Sequence, residues 1–152
     1  MQSEKEFLKN KFIEFQLKIA ELSHFLTETR DSYENREKDF ILELLTIIDA
    51  FENLDKIIAA KQDTFDKSAQ RLAKNIRTIQ RKLRRLLKTR AVVPMHFPDN
   101  MARMDYCKIV DTRRAPESNN ETILFVLKNG YIDERNGTVL RKAEVITVFN
   151  DS

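Results

Sequence analysis

The sequence predicts an α+β fold: a long dimeric coiled-coil helix, a short helical-bundle segment and a small C-terminal β-domain. Three observations carry the reading. From Leu8 onward, apolar residues recur at alternating steps of four and three, which is the a/d seam of a coiled coil. No Gly or Pro stands anywhere before Pro94. Beyond Arg90 the helical period stops, Pro94, Pro98 and Pro116 appear, and short β-rich runs take over.

The first element is expected over residues 1–62. Its stalk, 1–39, carries the seam Leu8, Phe12, Phe15, Ile19, Leu22 and Leu26, whose phase continues through Tyr33 to Phe40, Ile47 and Leu54. A helix from Glu4 to Ala60 would be ~85 Å long at about 1.5 Å per residue, far too long for the core of so small a domain. Much of it must therefore pair with another chain, giving a rod-shaped oligomer. Phe7 flanks the seam and Phe12 and Phe15 lie in it, which is bulky for a tight dimer, so a partner helix should be splayed or more than two helices should share the seam. Between Thr27 and Asp39 only Tyr33 is apolar, so packing there is poor and the segment is the weakest of the rod. Glu34 and Lys38 add one i,i+4 pair.

From Phe40 the seam is displaced by one residue, with Leu44, Phe51 and Ile58 as its second row. Ile41, Leu45 and Ile48 broaden the stripe. A wider stripe needs more neighbours, so 40–62 is read as the bundle-forming part. The connector AAKQDT ends it, with Asp63 or Thr64 expected to cap the next helix.

A second bundle helix is expected over 63–92, running to about Arg90, with Phe65, Ala69, Leu72, Ile76, Ile79, Leu83 and Leu86 on its seam. It is strongly basic: ten Lys or Arg from Lys67 to Arg90 and no acid. One reading is a face for nucleic acid or an anionic membrane. The preferred reading is charge matching against Glu34, Glu37, Asp39, Glu43, Asp49, Glu52 and Asp55 of the first helix, laid alongside in an antiparallel hairpin. No aromatic residue interleaves the cations to stack on bases, so nucleic acid is not the expected partner.

Residues 93–152 are read as the β-domain, with strands over 104–110, 122–128, 138–141 and 144–149 and a tight turn at Asn136-Gly137. Charged residues make up 34% of the 152-residue chain, a coiled-coil-like composition. The single Cys, Cys107, excludes a disulfide framework and points to a reducing, cytoplasmic setting. No apolar run is long enough to span a membrane, and the opening MQSEKEFLKNKF lacks the apolar core of a signal peptide.

Nothing in the chain reads as a catalytic constellation, and no cofactor, metal or small-molecule substrate is expected. His24 flanks the seam. His96 lies in a Pro-flanked linker with only Asp99 near it. Cys107 alternates with Tyr106 and Lys108 as a small buried strand residue would. Neither glycine belongs to a phosphate-binding loop. The expectation is a protein that is not an enzyme.

Two stretches resemble the GrpE family, the nucleotide exchange factors of DnaK-type chaperones. FILELLTIIDAFENL at 40–54 is similar to the family's Leu-Leu-Pro-Val-hydrophobic-Asp-Asn-Leu-Glu-Arg segment, through Leu44, Leu45, Ile47, Asp49 and Glu52. VLKNGYIDERNGTVLRKAEVITV at 126–148 is similar to its Lys-Gly-Tyr, Asn-Gly-Arg, Leu-Arg, Ala, Val ending, through Gly130, Tyr131, Asn136, Gly137, Leu140, Arg141, Ala143 and Val145. There are departures. Thr46 stands for the family's Pro, Asn53 for an Arg, and Thr138 for the Arg after Asn-Gly, with Arg135 nearby. Phe97-Pro98-Asp99 replaces Phe-Asp-Pro, Met104 lies near the family's His, and two residues are inserted between Tyr131 and Asn136.

The resemblance implies a homodimeric co-chaperone that binds the ATPase domain of a DnaK-type chaperone and promotes ADP release by holding the nucleotide cleft open. It implies a chaperone-facing surface at Lys128, Tyr131, Arg135, Asn136, Gly137, Arg141 and Val145. It implies dimerisation through Leu8, Phe12, Phe15, Ile19, Leu22, Leu26, Phe40, Leu44, Ile47 and Phe51. The competing readings place Tyr131 in the β-core and Arg141 in an ion pair. Two other classes of function stand beside it: an adaptor using the basic helix 67–90 on nucleic acid or an anionic surface, and a purely structural coiled-coil protein.

Overall fold

Helix α1 runs unbroken from Gln2 to Lys61, as a stretch without Gly or Pro allows. The computed structural model describes residues 1–151, and they divide into two units, Met1–Phe40 and the part from Ile41 onward.

The first unit is helix alone. It has no buried residue; Leu8, Phe12, Phe15, Ile19, Leu22 and Leu26 are all well exposed, Phe12 at 66%. What it makes internally are surface pairs, Lys11–Glu14 at 2.7 Å, Lys18–Glu21 at 2.9 Å and Arg30–Glu34 at 2.8 Å. Such pairs contribute only about 0.2–0.5 kcal/mol each. The apolar seam therefore stands open to a second helix.

In the second unit, α1 turns inward on Ile41, Leu45 and Ile48, the residues that broaden the stripe, all buried. The heptad residues one position earlier, Phe40 and Ile47, stay exposed, and Leu44 is half-buried. Two adjacent apolar rows thus have different fates: one fills the core of its own chain and the other is left uncovered.

After Lys61 the chain makes a 3₁₀ turn over Gln62–Thr64 and passes through extended Phe65. Helix α2 then runs Lys67–Thr89. Its N-cap is Asp66, whose Oδ1 accepts from the Ala69 N–H at 2.7 Å. The expected caps, Asp63 and Thr64, are corrected here, because the extra 3₁₀ turn uses them before α2 can start. The buried positions of α2 are Ala73, Gln80 and Leu87. Leu72, Ile79 and Leu86, on the predicted seam, remain exposed. At the far end Ala91, at φ 59°, donates its N–H to Lys88 O at 2.9 Å and closes the helix.

Among the described residues six strands follow: β1 (Val92–Pro94), β2 (Cys107–Arg113), β3 (Ile123–Lys128), β4 (Tyr131–Asp133), β5 (Thr138–Arg141) and β6 (Ala143–Val148). They form two three-stranded sheets, β1-β4-β5 and β2-β6-β3. β1–β4 and β4–β5 are antiparallel, β6 pairs antiparallel with β3, and β2 pairs with β6 in parallel. Strands β1 and β4, at three residues each, are too short for an alternating pattern to show. Met104–Tyr106, expected within a strand, is instead a turn in which Tyr106 and Cys107 both donate to Arg103 O, at 2.9 and 2.7 Å. The strand continues past Val110 through Asp111, Thr112 and Arg113, whose polarity hid it.

One core joins Ile41, Leu45 and Ile48 to Leu87 of α2, Val92 of β1 and Tyr131 of β4. A second centres on Cys107, Ala143 and Val145. Gly130 lets the chains approach between them: a Cβ there would lie 2.6 Å from Ala143 N and 2.6 Å from Met95 Sδ.

Candidate functional site

The two stretches that carry the family resemblance lie 77 and 92 residues apart at their points of contact, and the fold brings them together. Asp49 and Glu52 sit on one face of α1 with spacing i, i+3. The β3–β4 connection and the end of β5 lie over them. Arg141 donates Nη1 and Nη2 to the two oxygens of Asp49, at 2.8 and 2.7 Å, and also donates to Asn129 O at 2.8 Å. Lys128 Nζ stands 3.6 Å from Asp49. The Asn129 amide donates to both Glu52 oxygens at 3.0 Å, and Arg84 of α2 donates to the same carboxylate at 3.0 Å. Tyr131 lies beneath, 3% exposed, with the Arg141 guanidinium 5.4 Å from its ring centre.

This is a connected set of charge-assisted bonds, the strong kind. It ties α1, α2 and the β4–β5 hairpin into one piece. Burial, reinforced by the Glu52 carboxylate, pushes the Tyr131 hydroxyl above its ordinary pKa, so it stays neutral.

The loop Glu134–Gly137 projects from the hairpin. Asn136-Gly137 is its second half rather than a two-residue turn. Gly137 adopts φ 71° and donates to Asp133 O at 2.8 Å, a conformation other residues reach only with strain. The buried Asp133 carboxylate organises the loop. It accepts from the Arg135 N–H at 2.9 Å, from Nε at 3.0 Å and from Nη2 at 2.7 Å. The Arg135 side chain, foremost, holds the Asp133 carboxyl below its ordinary pKa. Asn136 Oδ1 accepts from the Thr138 N–H at 2.9 Å.

The expected surface residues therefore fall into two groups. Arg135, Asn136 and Gly137 are exposed and Lys128 is half-buried, all within the hairpin and its approach. Tyr131 and Val145 are buried and Arg141 is 15% exposed at its side chain, so these face inward. Sequence reasoning missed Asn129 and Asp133. Asn129 precedes Gly130 and signals only a turn, while Asp133 lies in the span that carries the two-residue insertion. Arg84 is one of the cations of the charge-matching reading, and it meets Glu52 of α1.

Among the described residues no cluster of three or more His, Cys, Asp or Glu is placed to hold a metal ion, and no helix is long and apolar enough to cross a membrane. Comparison with curated proteins gives no significant match. A family model described as GrpE matches residues 1–148. With a long helix, a second helix and a β-sheet region in that order, and with both resembling stretches joined at one site, the chain belongs to the GrpE family of nucleotide-exchange co-chaperones of DnaK.

Proposed function

We propose that the chain acts in the cytoplasm as a parallel homodimer that binds the ATPase domain of a DnaK-type chaperone and promotes ADP release by holding its nucleotide cleft open. The observation that carries this reading is the clamp of the β4–β5 hairpin onto α1 through Arg141–Asp49 and Asn129–Glu52. A wedge works only if it is stiffer than what it opens. A load on the exposed loop passes into α1 instead of bending the hairpin away.

The mechanism needs no bond chemistry. The factor binds the opened, nucleotide-free chaperone better than the closed, ADP-bound one. By linkage, its binding then weakens ADP by the same factor. Arg135, Asn136, Gly137 and Lys128 make the contact; Tyr131, Arg141 and Val145 support it from within. Residues 1–62 provide the dimer contact along the uncovered seam, 63–92 complete the bundle, and 93–152 carry the surface that meets the chaperone.

The test is the release rate of labelled ADP from a DnaK-type chaperone with this protein added. Release should accelerate, and Arg135→Ala with Asn136→Ala should slow it when measured well below the variant's melting temperature. No acceleration with any such chaperone would sink the proposal.

A further inference from the structure

Charge matching, the preferred reading of the basic helix from sequence, accounts for little of it. Among the described residues, Arg77 meets Asp55 at 2.7 Å and Arg84 meets Glu52 at 3.0 Å across the two helices. Arg71, Lys74, Arg81, Lys82, Arg85 and Lys88 are exposed and meet no carboxylate among the described residues. The bundle-forming part of α1 offers them little more: between Ile41 and Lys61 the acids are Glu43, Asp49, Glu52 and Asp55, and Asp49, Glu52 and Asp55 are already paired with Arg141, Arg84 and Arg77.

These cations lie on the side of α2 away from its buried positions, Ala73, Gln80 and Leu87. The array from Arg71 to Lys88 is about 26 Å long at about 1.5 Å per residue. It contains no acid to offset it. So concentrated a field attracts an anionic partner.

We propose that this face of α2 binds the sugar–phosphate backbone of a double-stranded nucleic acid, without reading its sequence. Three features select that partner. The cations recur at uneven intervals, which a carboxylate pattern on a folded protein would have to match one by one. A duplex carries one charge per ~1.7 Å and meets such an array in any register. No aromatic residue occurs in α2, so the stacking platforms that hold single strands are missing. The apolar residues still exposed on α2, Leu72, Ile79 and Leu86, form a row of their own about 120° round the helix from Arg71, Lys74, Arg81 and Arg85, so the basic face itself carries none of the apolar anchors that an interfacial helix sets in a bilayer. The arginines add a planar fork suited to phosphate oxygens.

The experiment is fluorescence anisotropy of a labelled mixed-sequence duplex against the full chain. Six phosphate contacts predict a slope of about −5 in log K against log salt, or roughly a 10³-fold loss between about 50 and 200 mM. The variant R71E/K74E/R81E/R85E should weaken binding by about tenfold or more, with its helical melt and its effect on ADP release unchanged. Should that variant fail to fold, R71Q/K74Q/R81Q/R85Q should reduce the slope to about −2. Absence of duplex binding at low salt overturns the proposal, as does binding that these substitutions leave alone. Tighter binding of a single strand, or of phosphatidylserine vesicles, overturns it as well.

Discussion

Arg141 and Asp49 are 92 residues apart in sequence and share two hydrogen bonds, at 2.8 and 2.7 Å. Both side chains are mostly withdrawn from water, at 15% and 19% exposure. Removing one partner leaves the other with a weaker contact, Lys128 at 3.6 Å for Asp49 or Asn129 O for Arg141, so the cost falls at the lower end of the about 3–5 kcal/mol for breaking a buried pair. Arg141→Ala should lower unfolding free energy by about 3 kcal/mol in urea titration. Asp49→Ala in the same background should cost much less than it does alone. Additive losses would mean that the two side chains are not coupled.

Arg84 and Arg81 look alike in sequence but not in the fold. Arg84→Glu sets a carboxylate against Glu52 and should destabilise by about 1 kcal/mol, whereas Arg81→Glu should stay within about 0.5 kcal/mol. Thermal melts decide it: equal shifts for the two would show that Arg84 does not hold the hairpin.

Ala91 closes α2 at φ 59°, where its Cβ costs about 1 kcal/mol. Ala91→Gly should therefore raise stability, by about 0.5 kcal/mol once the added freedom of the unfolded chain is set against the relief. A fall in melting temperature would contradict this.

Asp133 makes part of the stability pH-dependent. Its folded carboxyl sits below 3.8, chiefly because of the Arg135 side chain. The contribution is fully present above that value and drains away as pH falls through the lowered pKa. Urea midpoints followed into acid should fall less steeply for Asp133→Asn than for the parent chain, from a lower starting point. Parallel curves would remove Asp133 from the account.

The exposed seam of α1 predicts its own test. Phe15→Asp with Leu22→Asp places charges where a partner helix must pack. Light scattering at micromolar protein should show the parent as a dimer and the variant shifted toward monomer. An unchanged mass would move the dimer contact elsewhere.

The long helix was legible in sequence because sixty residues without a breaker leave the chain little choice. Burial at Ile41, Leu45 and Ile48 was also legible, since the broadened stripe marks where α1 gains neighbours. The exposure of Leu72, Ile79 and Leu86 was not. Periodicity says which residues share a face, and both rows of α2 share one; only the angle at which α1 arrives decides between them. At the site, Tyr131 and Arg141 were found through the resemblance, but not their direction. A motif names residues without saying whether they point at a partner or at Asp49. Asn129 went unseen because a single amide before a glycine reads as a turn until Glu52 is placed opposite it.

Strand β6 lies between β2 and β3, paired to each, although both come before it in the chain. While the polypeptide is being synthesised, β2 and β3 therefore have no sheet to join until Ala143–Val148 has been made. The helical hairpin of α1 and α2 needs no such wait. Non-local pairing of this kind is slow and leaves unpaired edges exposed meanwhile. Until then the edges of β2 and β3 that will pair with β6 stay open, those of β2, made first, for longest. A nascent member of a chaperone system thus carries, until its final strand is in place, the kind of surface that chaperones exist to shield.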